Sequence, residues 1–154
     1  MPTNRVWFTV YYWVMTLGCS MLYVRDLARM REFYANVLQA GPINTEWTET
    51  WAFFNAGGAG FGLHAIPAKD AGGSEPPSPS PKREQSPVKL IFAVKDVPAE
   101  RERLTALRIT VLQRAWQEPA ESFDCVDPEG NIFQIAARSH LSRLFGLSTG
   151  ARQP

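Results

Sequence analysis

Residues 121–137 read ESFDCVDPEGNIFQIAA. Phe123 and Cys125 alternate with Ser122 and Asp124, the period of two expected of a half-buried strand. Asp127-Pro128-Glu129-Gly130-Asn131 then carries turn chemistry. Pro128 fixes φ for an early turn position, and Gly130 or Asn131 accepts a positive φ at little cost. Ile132 to Ala136 leaves the turn as a second, apolar strand. The stretch predicts a β-hairpin.

The same pattern occurs earlier in the chain. Met21 to Leu27 is an apolar strand ending in Val-x-Asp-Leu, and Ile91 to Val97 is one ending in Val-x-Asp-Val. Their separation is 94 − 24 = 70 residues, and Gly60 precedes Gly130 by the same 70. A constant offset at two anchors predicts a duplicated unit. Each copy is expected to run strand, helix, then three further strands.

A DPxGN turn feeding an apolar strand, placed at the end of such a repeat, resembles the last hairpin of the vicinal-oxygen-chelate superfamily. That superfamily includes glyoxalase I, bleomycin-resistance proteins and extradiol dioxygenases. The resemblance covers residues 19–137, most of the chain. It implies an α+β fold of two βαβββ modules related by a pseudo-twofold, with mixed sheets curled around one cavity. The expected boundaries are an N-terminal extension (1–18), a first module (19–66), a Pro/Ser-rich linker (67–87), a second module (88–137) and a C-terminal tail (138–154). Together these form one structural domain.

Length and composition agree with a single domain. A chain of 154 residues can bury a sizeable core. Its net charge of +1 gives no electrostatic footprint for nucleic acid. Two cysteines, Cys19 and Cys125, are too few for a disulfide framework, so a reducing cytoplasm is the expected compartment. The apolar run from Val6 to Met15 is too short to span a membrane. It lacks a signal-peptide cleavage pattern, although Leu17-Gly18-Cys19 has a faint likeness to a lipoprotein box. An extra edge strand, or a translated leader ahead of Met15, is the plainer reading. Trp7, Phe8, Tyr11, Tyr12 and Trp13 are too apolar to leave in water. With the superfamily's habit of pairing, they point to a homodimer. No nucleic-acid or membrane partner is expected.

Between these landmarks the pattern is regular. Asp26 is placed to cap a helix whose Leu27, Met30, Tyr34 and Leu38 share one face, and Gly41-Pro42 stops it. A hairpin is expected within Ile43–Phe54. Its aromatics, Trp47, Trp51, Phe53 and Phe54, are too many for a strand pair buried on one face. Either the second face lines a cavity, or it is a dimer or core surface. Ala56 to Gly60 is a glycine-rich turn and not a phosphate loop, since no Lys-Ser/Thr follows. Ser74 to Pro87 is linker-like. Asp96 repeats the helix cap, with Pro98 in the first turn. A strand at Ile109–Arg114 and a short helix at Leu141–Phe145 complete the chain.

In metal-dependent members of the superfamily, ligands come from the first and last strands of each module. The resemblance carries these positions to Cys19 and His64, and to Lys89 and Gln134. Divalent ions want carboxylate or imidazole ligands, and an ammonium has no lone pair to give. A metal centre is therefore disfavoured and no cofactor is expected. Cys19 with His64 could form a nucleophile and base, but a satisfied cavity histidine beside a small thiol is the simpler reading. Lys89 could form a Schiff base or hold an anion as a point charge. His140 falls past the repeat, on the surface. The expected ligand-binding set is Cys19, Met21, Tyr23, Trp47, Trp51, Phe53, His64, Lys89, Ile91 and Gln134. The reading favours a glyoxalase/bleomycin-resistance-like binder of a small flat or anionic organic molecule, without a catalytic metal. Whether it is an enzyme stays open. The alternatives are a metal-dependent lyase or dioxygenase of the same superfamily, and an accessory module with no ligand.

Overall fold

The computed structural model describes residues 17–67, 69–70, 82, 84 and 86–145. The aromatic N-terminal cluster, most of the linker and the chain beyond Phe145 lie outside the described residues.

Two helices start where the sequence places their caps. Helix α1 (Leu27–Leu38) opens at Asp26, whose carboxylate accepts from the Arg29 amide at 3.0 Å. Helix α2 (Val97–Ala106) opens at Asp96, which accepts from the Ala99 amide at 3.0 Å. Each side chain satisfies a first-turn N–H that has no partner within the helix. Helix α1 ends on Gln39, in the left-handed region at φ 53°.

The strands form two open sheets. Sheet A holds β1 (Cys19–Val24), β3 (Gly60–Ala65) and β2 (Trp51–Asn55), in that order, with β1 parallel to β3. Sheet B holds β4 (Leu90–Val94), β7 (Ile132–Ala137), β6 (Ser122–Val126) and β5 (Thr110–Leu112), with β4 parallel to β7. A third helix, α3 (Arg138–Phe145), follows β7 directly and begins three residues earlier than the expected Leu141. The two units repeat the same strand order. The architecture is the expected α+β pair of modules, with sheets that do not close.

The first module has three strands where four are expected. Residues 43–50 form no strand. The Ile43 amide donates to the Phe53 carbonyl at 2.7 Å, and the Asn44 side chain continues the pairing in place of a peptide group. Its Oδ1 accepts from the Phe53 amide at 2.9 Å and its Nδ2 donates to the Trp51 carbonyl at 3.2 Å. That covers the free edge of β2 without extending the sheet. Beyond Asn44 the chain turns, with Trp47 at φ 53°, so no ladder can form.

The repeat also drifts in register. Met21 pairs with Gly62, whereas Ile91, at 91 − 21 = 70, pairs with Gln134, at 134 − 62 = 72. One of the two added residues lies in the DPEGN turn, because Asn55 pairs with Gly60 while Val126 pairs with Ile132. The structural counterpart of Gln134 is therefore Gly62, and that of His64 is Ala136. A two-residue slip keeps every side chain on its face. This is why the anchor at Gly60 and Gly130 reads as the correct offset when it is not.

One core joins the modules. Val24, Met30, Tyr34 and Leu63 of the first pack with Val97, Leu104, Phe123, Phe133 and Ile135 of the second. Tyr34 is fully buried, with its ring 4.8 Å from that of Phe61 and 5.9 Å from that of Phe133. Its hydroxyl donates to Asp127 at 3.0 Å. Burial, then the nearby Asp127 carboxylate, pushes that hydroxyl's pKa well above its ordinary value. Asp127 also accepts from the amides of Glu129 and Asn131, so the DPEGN turn closes on its own first residue. Gly130, at φ 85°, takes the conformation the turn requires.

The turn is also a latch between modules. Glu129 Oε1 accepts from the amides of Arg25 and Asp26 at 2.7 and 2.8 Å, though Glu129 is only 5% exposed. Glu129→Ala strands two backbone donors and should cost about 2 kcal/mol. A urea midpoint within error of the parent would show that water replaces the carboxylate freely.

Strand β6 departs from the expected half-wet pattern. Ser122, Phe123, Asp124 and Cys125 are all buried. The second face of the strand is covered by polar side chains described below. Burial pushes the Cys125 thiol up to about 12, which marks it as a core residue and not a nucleophile.

Candidate functional site

Alternation along the strands divides the expected ligand set between two sheets. On sheet A, Leu22, Val24, Ala52, Phe54, Phe61 and Leu63 face the core. Cys19, Met21, Tyr23, Trp51, Phe53 and His64 therefore share the opposite face, in register with one another. On sheet B, Ile91 and Gln134 pair side by side on the face away from the core. Lys89 precedes β4 and reaches that same face. Trp47 belongs to neither group. It lies in the turn before β2 and is 69% exposed.

The face of sheet A is an aromatic platform. His64 stacks on Trp51 with centroids 3.7 Å apart and planes 11° from parallel. Tyr23 lies 5.2 Å from the imidazole on its other flank, and Phe53 stacks on Trp51 at 5.4 Å. Gly62 makes room for this packing. A Cβ there would meet Met21 Sδ at 2.7 Å and Phe53 Cδ1 at 3.3 Å. The Nδ1 atom of His64 is buried and has no hydrogen-bond partner among the described residues. Most buried polar atoms have a partner, so an unpaired one needs an explanation, such as a water, an ion or a ligand. Cys19 is exposed, and Gly60 beside it leaves no room for a side chain, since a Cβ there would lie 2.8 Å from Cys19 Cβ.

Sheet B carries a charged cluster. Asp124, 1% exposed, accepts from Lys89 Nζ at 2.7 Å, Gln117 Nε2 at 2.9 Å and Arg114 Nε at 3.2 Å. Arg114 also pairs with Glu84 at 2.8 Å. Trp116 lies over Lys89, with Nζ 5.5 Å from the ring centre. A cavity of about 280 Å³ opens between Glu84, Lys89, Arg114, Trp116, Asp124 and Ile132. Lys89, expected as a Schiff-base amine or a point charge for an anion, is paired with Asp124. Sequence reasoning missed Asp124, Arg114, Trp116 and Gln117. The signal present was Asp124 on the non-core side of a strand, which reads as solvent-facing until its partners are known.

Among the described residues no three His, Cys, Asp or Glu side chains come together. Lys89 is engaged by Asp124, and His64 lies between aromatic rings. His140 pairs with Glu121 at 2.7 Å. Among the described residues no helix is long and apolar enough to cross a membrane.

Comparison with known proteins agrees with the architecture. A fosfomycin-resistance protein, FosX, from Listeria monocytogenes, complexed with Mn(II) and sulfate, superposes with a TM-score of 0.61 at 19% identity, over 85% of this chain and 98% of that one. Lactoylglutathione lyase from Agrobacterium tumefaciens gives 0.60 at 20% identity, over 88% and 100%. An integron cassette protein from Vibrio cholerae gives 0.58 at 18%, over 81% and 96%. At these identities the likeness is one of fold. No curated protein matches the sequence. The model of the glyoxalase-like domain matches residues 19–136, which spans both modules and leaves out only the extension and the tail. The chain belongs to the glyoxalase-like domain family, within the vicinal-oxygen-chelate superfamily.

Proposed function

We propose that the protein binds a small, flat organic molecule on the outer face of sheet A, without a catalytic metal. One observation carries this reading: His64, held against Trp51 and Tyr23, keeps a buried Nδ1 with no partner among the described residues. An aromatic ligand that displaces Tyr23 from the imidazole would stack in its place and bring a polar atom to that nitrogen. Such sites are mostly apolar with a few placed polar atoms. The metal-free part rests on the donor set: among the described residues no three carboxylate, imidazole or thiolate ligands gather as a divalent ion prefers.

The second reading is a metal-dependent lyase or dioxygenase. It is supported by the FosX neighbour, which was solved with Mn(II), and by the free imidazole nitrogen of His64. The two readings separate in a titration of tryptophan fluorescence with quinoline, run beside calorimetry with Mn²⁺ and Zn²⁺. Trp51→Ala should weaken quinoline binding by about 1–2 kcal/mol, the scale of a lost aromatic pair with its buried area. Equal binding by the parent and Trp51→Ala would sink the platform. Tight one-to-one metal binding that disappears in His64→Ala would replace the reading with the enzyme.

A further inference from the structure

Sheet B holds a second arrangement that does not depend on the aromatic platform. Asp124 is buried and fixed by three donors, so it acts as an anchor. It holds two cations, Lys89 and Arg114, at the wall of the cavity. One buried carboxylate answers only one of those charges. The other is met by Glu84, whose side chain is 52% exposed and reaches Arg114 Nη2 from the segment between the modules. An ion pair this exposed is weak and exchangeable. The same cavity has an apolar side built from Trp116, Val88 and Ile132, and the first two are 70% and 66% exposed. At about 280 Å³ it lies at the small end of ligand pockets.

We propose that this cavity binds a small organic oxyanion with a flat apolar body. The oxyanion takes the place of the Glu84 carboxylate on Arg114, and the body lies against Trp116. Arginine suits this role because its planar fork matches a carboxylate and stacks with flat groups. Glu84 is then an internal competitor, which gives the proposal an unusual sign. Removing this negative side chain should strengthen binding of an anion.

The test uses the full chain and two probes, benzoate and neutral benzyl alcohol. Heteronuclear NMR follows the Trp116 indole N–H, assigned by its loss in Trp116→Phe. Benzoate should shift that signal saturably, and benzyl alcohol should not. Arg114→Gln should weaken benzoate by at least about tenfold, the scale of a lost charge-assisted contact. Glu84→Gln, an exposed change that leaves Asp124 and its partners in place, should tighten it several-fold. The proposal fails if benzoate does not bind, or if both probes bind alike. It fails equally if Glu84→Gln leaves benzoate affinity unchanged or lowered. Should Arg114→Gln prove unstable, the Glu84→Gln result decides alone.

Discussion

Tyr34→Ala should lower the free energy of unfolding by about 4 kcal/mol, the upper range for removing a large buried side chain. Tyr34 is fully buried, and its ring touches the edges or faces of Phe33, Phe61, Phe92 and Phe133. Two of these, Phe33 and Phe61, belong to its own module, and the other two to the second. Truncation therefore opens a void at the seam between modules, where neither sheet can move inward without breaking its own ladder. It also takes the Tyr34 hydroxyl from Asp127, leaving a buried carboxylate with one donor fewer. Tyr34→Phe separates the two effects. It keeps the packing and loses the hydroxyl, and should cost about 1–2 kcal/mol. Urea unfolding measures both. If Tyr34→Ala shifts the midpoint no more than Tyr34→Phe does, the ring does not bind the modules together.

Asp124→Ala should cost about 3 kcal/mol, as expected when one partner of a buried charge pair is removed. The loss is not the attraction alone. The Gln117 amide, on a residue 6% exposed, is left without its acceptor. Lys89 and Arg114, each within 3.2 Å of the carboxylate, then lose the anion they share, and Glu84 answers only Arg114. Removing Lys89 as well should relieve part of their repulsion. The combination Asp124→Ala with Lys89→Met should therefore be more stable than the sum of the single changes predicts, by at least about 1 kcal/mol. A double-mutant cycle by thermal or urea unfolding makes the measurement. Additive losses would mean that solvent already screens the cluster and that Asp124 is no anchor.

Much of the architecture is legible because it follows from local chemistry. Asp26 and Asp96 cap helices since a short carboxylate before an apolar stripe has one favourable use there. The DPEGN turn needs Pro128 and Gly130 whatever surrounds it. Alternation in β1 and β4 separates core from outer face, so Met21, Tyr23 and Ile91 are assigned to the outer face without coordinates. The missing strand in the first module is harder to foresee. Asn44 replaces a ladder by bonding through its side chain to Trp51 and Phe53, and a side-chain amide leaves no periodic trace in sequence.

The site divides along the same line. Sequence by itself determined which residues stand on the outer faces, because a strand's period of two is a property of the chain alone. Only the tertiary structure decided what those residues meet. The drift of the repeat from 70 to 72 residues preserves faces but changes partners, so His64 lies beside Tyr23 and Trp51 while Gln134 lies beside Ile91 and Asp124. Lys89 reads as a Schiff-base amine or a point charge for an anion until Asp124, 35 residues away, comes within 2.7 Å of it. Charge pairing acts through space at a few ångströms, and separation along the chain does not encode that distance.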